Sequence, residues 1–200
     1  MSKGDVIPAT LGVLGVAVLG AYYMFTSPAQ AQDNPDTPNL VIEVAGSTDG
    51  QIVIDLMPDV APNHVAQITT LAKEGQYDGV VFHRVIEGFM AQTGDVEFGR
   101  VEAPSGRPGT GGSELPDIAA EFNAVPFNRG TVGMARSASP NSANSQFFIM
   151  FAPAPHLNGQ YTVFGQVIEG QDVVDAIKRG AGGSGAVTDP DYMKSVTVVE

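Results

Sequence analysis

A histidine and an arginine stand side by side, His83 and Arg84, inside a run that otherwise reads as strand: VVFHRVIEGFMAQTGD, residues 80–95. β-Branched and aromatic residues around a break at Glu87-Gly88 mark two short strands. A guanidinium stays charged at physiological pH and presents rigid N–H donors. In a half-buried strand it therefore either pairs with a carboxylate or serves something that needs a fixed donor. Other chemistries lack their residues. There is no cysteine, which removes disulfides and thiolate nucleophiles. His64, His83 and His156 lie far apart without H-E-x-x-H spacing, so no metal set is expected. No G-x-S-x-G elbow offers a serine nucleophile. Gly180-Ala181-Gly182-Gly183-Ser184-Gly185 matches G-x-G-x-x-G, but it follows an expected helix and opens none, so it reads as a flexible loop and not as a dinucleotide cradle. Asp189 and Asp191 sit among turn residues and read as solvated loop carboxylates. No metal and no cofactor is expected.

The elements that must position this pair are mostly strands. LVIEVA (40–45) and QIVIDL (51–56) alternate around a glycine-flanked turn and make a hairpin. Residues 62–74 read as a helix: Pro62 suits the first turn, Val65, Ile68, Leu71 and Ala72 share a face, and Gly75 is the stop. Strands are expected at 80–85, 89–93, 131–135, 146–151, 162–167 and 195–199, with a second helix over 171–179 ended by Gly180. That gives eight strands and two helices. Alternating βαβ units are excluded, because parallel strands need a crossover between each pair. The expected fold is mainly β: a closed eight-stranded antiparallel β-barrel capped by two α-helices, closure removing exposed edges. The loops 97–116 and 136–144 are too long to be hairpin turns, and loops of that length are often functional.

The chain has 200 residues, 43% of them apolar, with 24 Gly, 14 Pro and a net charge of -12. Its size suits one domain, and a field of that sign repels nucleic acid and anionic membrane surfaces. The first forty residues are different in kind. Residues 7–25 are almost wholly apolar or glycine, and Ala29-Gln30-Ala31 follows as an A-x-A cleavage pattern. This reads as an export signal over 1–31; the rival is an uncleaved membrane anchor, since the run approaches the roughly 20 residues that span a bilayer. Either way the folded part is expected outside the cytoplasm, in the periplasm, with 32–39 a polar linker and 40–200 the domain. A monomer is expected.

Three segments carry a more specific signal: FHRVIEGFMAQTGD (82–95), GTVGMARSASPNSANSQFFIM (130–150) and HLNGQYTVFGQVIEG (156–170). In order and spacing they resemble the cyclophilin family of peptidyl-prolyl cis/trans isomerases, in the bacterial form. The resemblance extends more weakly to 40–75 and to Gly109-Thr110-Gly111-Gly112. It implies the eight-stranded barrel with two helices, an activity on proline-containing polypeptides, and no cofactor. It implies Arg84 as the catalytic arginine with His83 beside it as a substrate contact, and Gln92 holding the substrate backbone. Phe89, Met90, Phe148 and Leu157 would line the pocket for the proline ring, with Gln146, Ala135, Arg136 and Ser137 as the groove wall. His156 stands where many members carry a tryptophan and Tyr161 where a histidine is common; the first exchange implies weakened cyclosporin binding. The rival to an isomerase is a binding module that holds proline-bearing segments without useful catalysis.

Overall fold

The computed structural model describes residues 1, 34, 36–102 and 106–200. The expected signal or anchor at 1–31 lies, apart from its first residue, outside the described residues. Among the described residues nine strands run in chain order as β1 (Asn39–Ala45), β2 (Gly50–Leu56), β3 (Val80–Val81), β4 (Arg84–Ile86), β5 (Met90–Thr93), β6 (Thr131–Met134), β7 (Phe147–Met150), β8 (Val163–Glu169) and β9 (Tyr192–Val199). Two helices, α1 (Pro62–Lys73) and α2 (Gln171–Ala176), and a 3-10 turn (Pro155–Leu157) complete the set.

All the strands belong to one antiparallel sheet in the order β3-β9-β1-β2-β8-β6-β7-β5-β4. The expected closed eight-stranded barrel is corrected to a curled half-barrel of nine, whose ladder ends at β3 and β4. The reason is local. The run expected as one strand over 80–85 breaks at Phe82-His83, so β3 pairs with β9 while β4 pairs with β5. Across the break the bonds go to loop: Phe82 N donates to Asp191 O and Val187 N to His83 O. Register shifts at Glu43/Val44, Val53/Ile54 and Val132/Gly133 supply the curl, since an extra residue bends its strand and increases twist.

One face of the curl is the core, where Leu40, Ile42, Ile52, Ile54, Leu56, Phe82, Val85, Ala91, Phe147, Ile149 and Phe164 are buried together. Strand β7 is buried along its whole length. Phe147 and Ile149 enter that core, while Phe148 and Met150 join a second cluster with Met90, Phe127, Leu157 and Val163. An uninterrupted apolar run is what two-sided burial requires. Helix α1 packs on β9 and α2 on β2.

Carboxylates that accept from backbone N–H groups hold the connections. Helix α1 has no cap of its own at Ala61; instead Glu121 accepts from the backbone N–H groups of Asn63 and His64, at 3.2 and 3.1 Å, and from His64 Nδ1 at 2.5 Å. That satisfies first-turn donors with a negative charge at the positive end of the helix. Asp191, expected as a solvated loop carboxylate, is fully buried. It accepts from Ser47 N, Ser47 Oγ, Thr48 N and Lys178 N. Burial pushes its carboxyl up, but those hydrogen bonds together outweigh it and hold it below the usual value. Because Lys178 N is committed to Asp191, α2 stops at Ala176, short of the expected 179.

Candidate active site

Arg84, Gln92 and Phe148 stand in one row across three strands. Register pairs Arg84 with Gln92 on β4 and β5, Gln92 with Phe148 on β5 and β7, and Phe148 with Gly133 on β6. Paired residues project to the same side of a sheet, so the row needs no loop to assemble it. Gly133 leaves space at its end: a Cβ there would lie 2.7 Å from the Phe148 ring and 2.5 Å from that of Phe127. In that space the two rings stack with centroids 5.7 Å apart, and Tyr161 meets Phe148 edge-on at 5.9 Å.

The row opens into a hollow of about 210 Å³ lined by Arg84, Phe89, Met90, Gln92, Ala135, Arg136, Phe148, Leu157 and Tyr161. Its floor is the second apolar cluster. A second hollow of about 570 Å³ shares Gln92, Ala135 and Arg136 with the first and continues past Ser137, Gln146 and Gly109-Thr110-Gly111-Gly112. Arg136 forms the ridge between them. Its guanidinium lies 4.5 Å from the Tyr161 ring centroid and donates to Ser137 O and Gln160 O, at 2.9 and 3.0 Å. His156 is at the rim, its ring stacked on Phe89 at 5.9 Å.

The polar side of the hollow is a directed relay. Arg84 Nε donates to Ser184 O at 3.1 Å, and its Nη1 donates to Gln92 Oε1 at 3.2 Å. Gln92 Nε2 donates to Gln146 Oε1 at 3.0 Å, and Gln146 Nε2 to Gly111 O at 2.8 Å. The direction is forced by the ends, since a guanidinium can only donate and a carbonyl can only accept. Among the described residues Arg84 Nη2 has no acceptor, so donors remain for a substrate.

The relay ends on a loop that Asp95 holds. This carboxylate is fully buried. It accepts from Glu97 N and Phe98 N through Oδ1, at 3.1 and 2.8 Å, and from Gly109 N and Gly111 N through Oδ2, at 2.6 and 3.0 Å. The sequence reading gave Asp95 no role; the signal was there in an acid closing the quoted strand with glycines 14 and 16 residues on. Ser184 was also missed, because its glycine loop was read as flexible.

His83 does not join the other candidates. It is 6% exposed, its ring edge faces Gly109, and it borders a separate cavity with Phe98 and Val187. Neighbouring residues of an extended chain face opposite ways, so the expected substrate contact by His83 is withdrawn. Burial lowers its pKa to about 4 against the opposing pull of Asp95, and the ring is neutral at physiological pH.

The comparison with known proteins decides the family. The family model described as cyclophilin type peptidyl-prolyl cis-trans isomerase/CLD matches residues 40–198. The chain belongs to this cyclophilin family. It is 60% identical over 153 residues to a probable peptidyl-prolyl cis-trans isomerase of Brucella suis, covering 75% of this chain and 78% of that protein. A peptidyl-prolyl cis-trans isomerase of Arabidopsis thaliana is 39% identical over 142 residues, covering 68% of this chain and 81% of its own. Among solved structures, a cyclophilin from Hirschia baltica superimposes with a TM-score of 0.67 at 28% identity, covering 82% of this chain and 74% of that one. A Cryptosporidium parvum cyclophilin type isomerase, crystallised in the presence of the dipeptide Ala-Pro, gives 0.68 at 25% identity, covering 81% and 99%. This cyclophilin is thus an enzyme of the peptidyl-prolyl cis-trans isomerase class, and its mainly β fold with two helices is that of the family.

Proposed function

We propose that this cyclophilin accelerates X-Pro isomerisation in exported polypeptides, with Arg84 as the donor that stabilises the twisted amide. The observation that carries the reading is a half-buried guanidinium, tied at Nε and Nη1 with Nη2 unengaged, beside a small apolar hollow. Rotation about an X-Pro bond breaks amide resonance, at a barrier of about 18–20 kcal/mol. No bond is made or cleaved and no proton moves. As conjugation is lost the prolyl nitrogen becomes pyramidal and regains a lone pair that can accept a hydrogen bond. A donor fixed at that point favours the twisted form over either planar isomer, which is the condition for acceleration.

Arg84 does not act alone. Bringing a step of about 10–100 s to about 10 ms takes roughly 4–5.5 kcal/mol off the barrier, and one hydrogen bond to a charged group contributes about 1.5–3 kcal/mol. Phe89, Met90, Phe148 and Leu157 supply the remainder by gripping the proline ring and excluding water, and Gln92 by anchoring the carbonyl that swings. The Cryptosporidium relative crystallised in the presence of Ala-Pro supports proline-containing substrates. Export rests on the apolar run at 7–25 and the Ala29-Gln30-Ala31 pattern, with retention as an inner-membrane anchor the alternative. Weak cyclosporin binding, from His156 at the rim, and a monomeric state are parts of the same proposal.

The test is turnover of a proline-containing tetrapeptide. Arg84→Ala is expected to lower kcat/KM about a hundredfold with an unchanged fold by circular dichroism. An equal rate removes the mechanism. Peptide affinity that survives Arg84→Ala in a protein with no measurable turnover to lose marks a binding module instead.

A further inference from the structure

The glycine-rich segment at 180–185 lies along β4 where Arg84 stands. Gly180 N donates to Val85 O at 2.9 Å, Val85 N to Gly185 O at 2.8 Å, and Val187 N to His83 O at 3.2 Å. These bonds fasten both ends of the loop to the strand and leave the Ser184 carbonyl accepting from Arg84 Nε at 3.1 Å. The glycines at the two ends are required by space. Gly185 has φ +72°, and a Cβ on it would lie 2.4 Å from Ile86 Cγ1; a Cβ on Gly180 would lie 1.9 Å from Gly185 O. Gly183, at the exposed tip, would meet nothing within 4 Å.

We infer that this loop is a positioning clamp for Arg84, its Ser184 carbonyl fixing the Nε corner of the guanidinium while Gln92 fixes Nη1. A planar fork held at one nitrogen can still roll about that bond. Held at two, its plane and reach are both set. The long arginine side chain otherwise carries up to about 2 kcal/mol of rotamer freedom, and ordering it before substrate arrives removes that cost from the catalytic step. The inference rests on the reading of Arg84 as the catalytic donor. It assigns the loop a role through Arg84, with no contact to the peptide required.

The experiment uses the full chain and three glycine variants, with kcat, KM and the Arg84 Nε–H NMR signal as readouts. Gly185→Ala is expected to lower kcat about tenfold, with KM within twofold and a shifted Nε–H signal, since displacement of about 1 Å costs up to about a hundredfold. Gly46→Ala is the control for mere strain: that glycine has φ +137°, and a Cβ on it would lie 2.5 Å from Asp191 Oδ1, its three nearest atoms all belonging to Asp191 and none to β4 or the 180–185 loop. It is expected to lower Tm while kcat and the Nε–H signal stay put. Gly183→Ala is expected to change neither. A folded Gly185→Ala with wild-type kcat, or with an unmoved Nε–H signal, overturns the clamp. Should Gly185→Ala not fold, wild-type protein decides: a scalar coupling across the hydrogen bond between Arg84 Nε and the Ser184 carbonyl carbon is expected, and a freely exchanging Nε–H overturns it. Full activity in Arg84→Ala sinks the catalytic reading; an impaired Arg84→Ala beside a fully active Gly185→Ala sinks the clamp alone.

Discussion

Two polar assemblies meet at Gly111 and are built on opposite principles. Asp95 is buried, takes four backbone N–H groups on two oxygens, and has no capacity left to offer. The Arg84-Gln92-Gln146 relay is half-buried, joined by single side-chain bonds, and keeps Nη2 unengaged. A buried carboxylate must be saturated, because each unmet bond costs the full desolvation of the group. A guanidinium that serves a transient partner must be the reverse: fixed in place yet incompletely satisfied. The first assembly gives rigidity to the loop, and the second draws on that rigidity.

Removing Asp95 should break the comparison most severely. Asp95→Ala leaves four part-buried backbone N–H donors without their acceptor and is expected to lose roughly 3 kcal/mol of stability, read from the urea midpoint. A loss under about 1 kcal/mol would mean that the loop is organised by something else. His83, beside Asp95, sharpens it next. With a folded pKa of about 4 against the ordinary histidine value of 6.5, the ring is neutral in both states well above pH 6.5 and contributes no pH dependence there. Between about 6.5 and 4 the unfolded chain binds a proton that the folded chain refuses, so stability falls as pH falls, by roughly 3 kcal/mol in all, and then levels. His83→Phe should flatten that window in a pH series of denaturation curves; an unchanged slope would locate the titration elsewhere. The smallest effect belongs to the relay. In Gln146→Glu the carboxylate still accepts from Gln92 but can no longer donate to Gly111 O, and a loss of roughly 1 kcal/mol, or about fivefold in kcat/KM, is expected. A gain in rate would show that the direction of the relay is immaterial.

Periodicity made most of the architecture legible. The alternation in LVIEVA and QIVIDL predicts the β1–β2 hairpin, and the spacing of Val65, Ile68, Leu71 and Ala72 predicts the buried face of α1. The break at Phe82-His83 was not legible, since side-chain pattern continues through it while the hydrogen-bond partners change from β9 to loop. For the same reason barrel closure was overestimated. At the site, the residues that touch the hollow carry type signals and were read through family resemblance. The groups that hold the site and the neighbouring connections did not: Asp95 acts through backbone N–H groups, Asp191 mainly so, and the 180–185 loop through a backbone carbonyl. Backbone partners leave no mark in residue type, so a buried loop acid looks like a solvated one and a fastened glycine loop like a free one.

Strand β1 lies between β2, which follows it at once, and β9, with Asn39 opposite Val199. During vectorial synthesis the β2 side can zip early, but the other edge of β1 must wait until some 150 further residues have emerged. Pairings so distant in sequence close slowly, and an unoccupied edge invites association with other chains. This cyclophilin therefore completes its sheet only after β9 has emerged, and in the interval the outer edge of β1 needs protection from other chains.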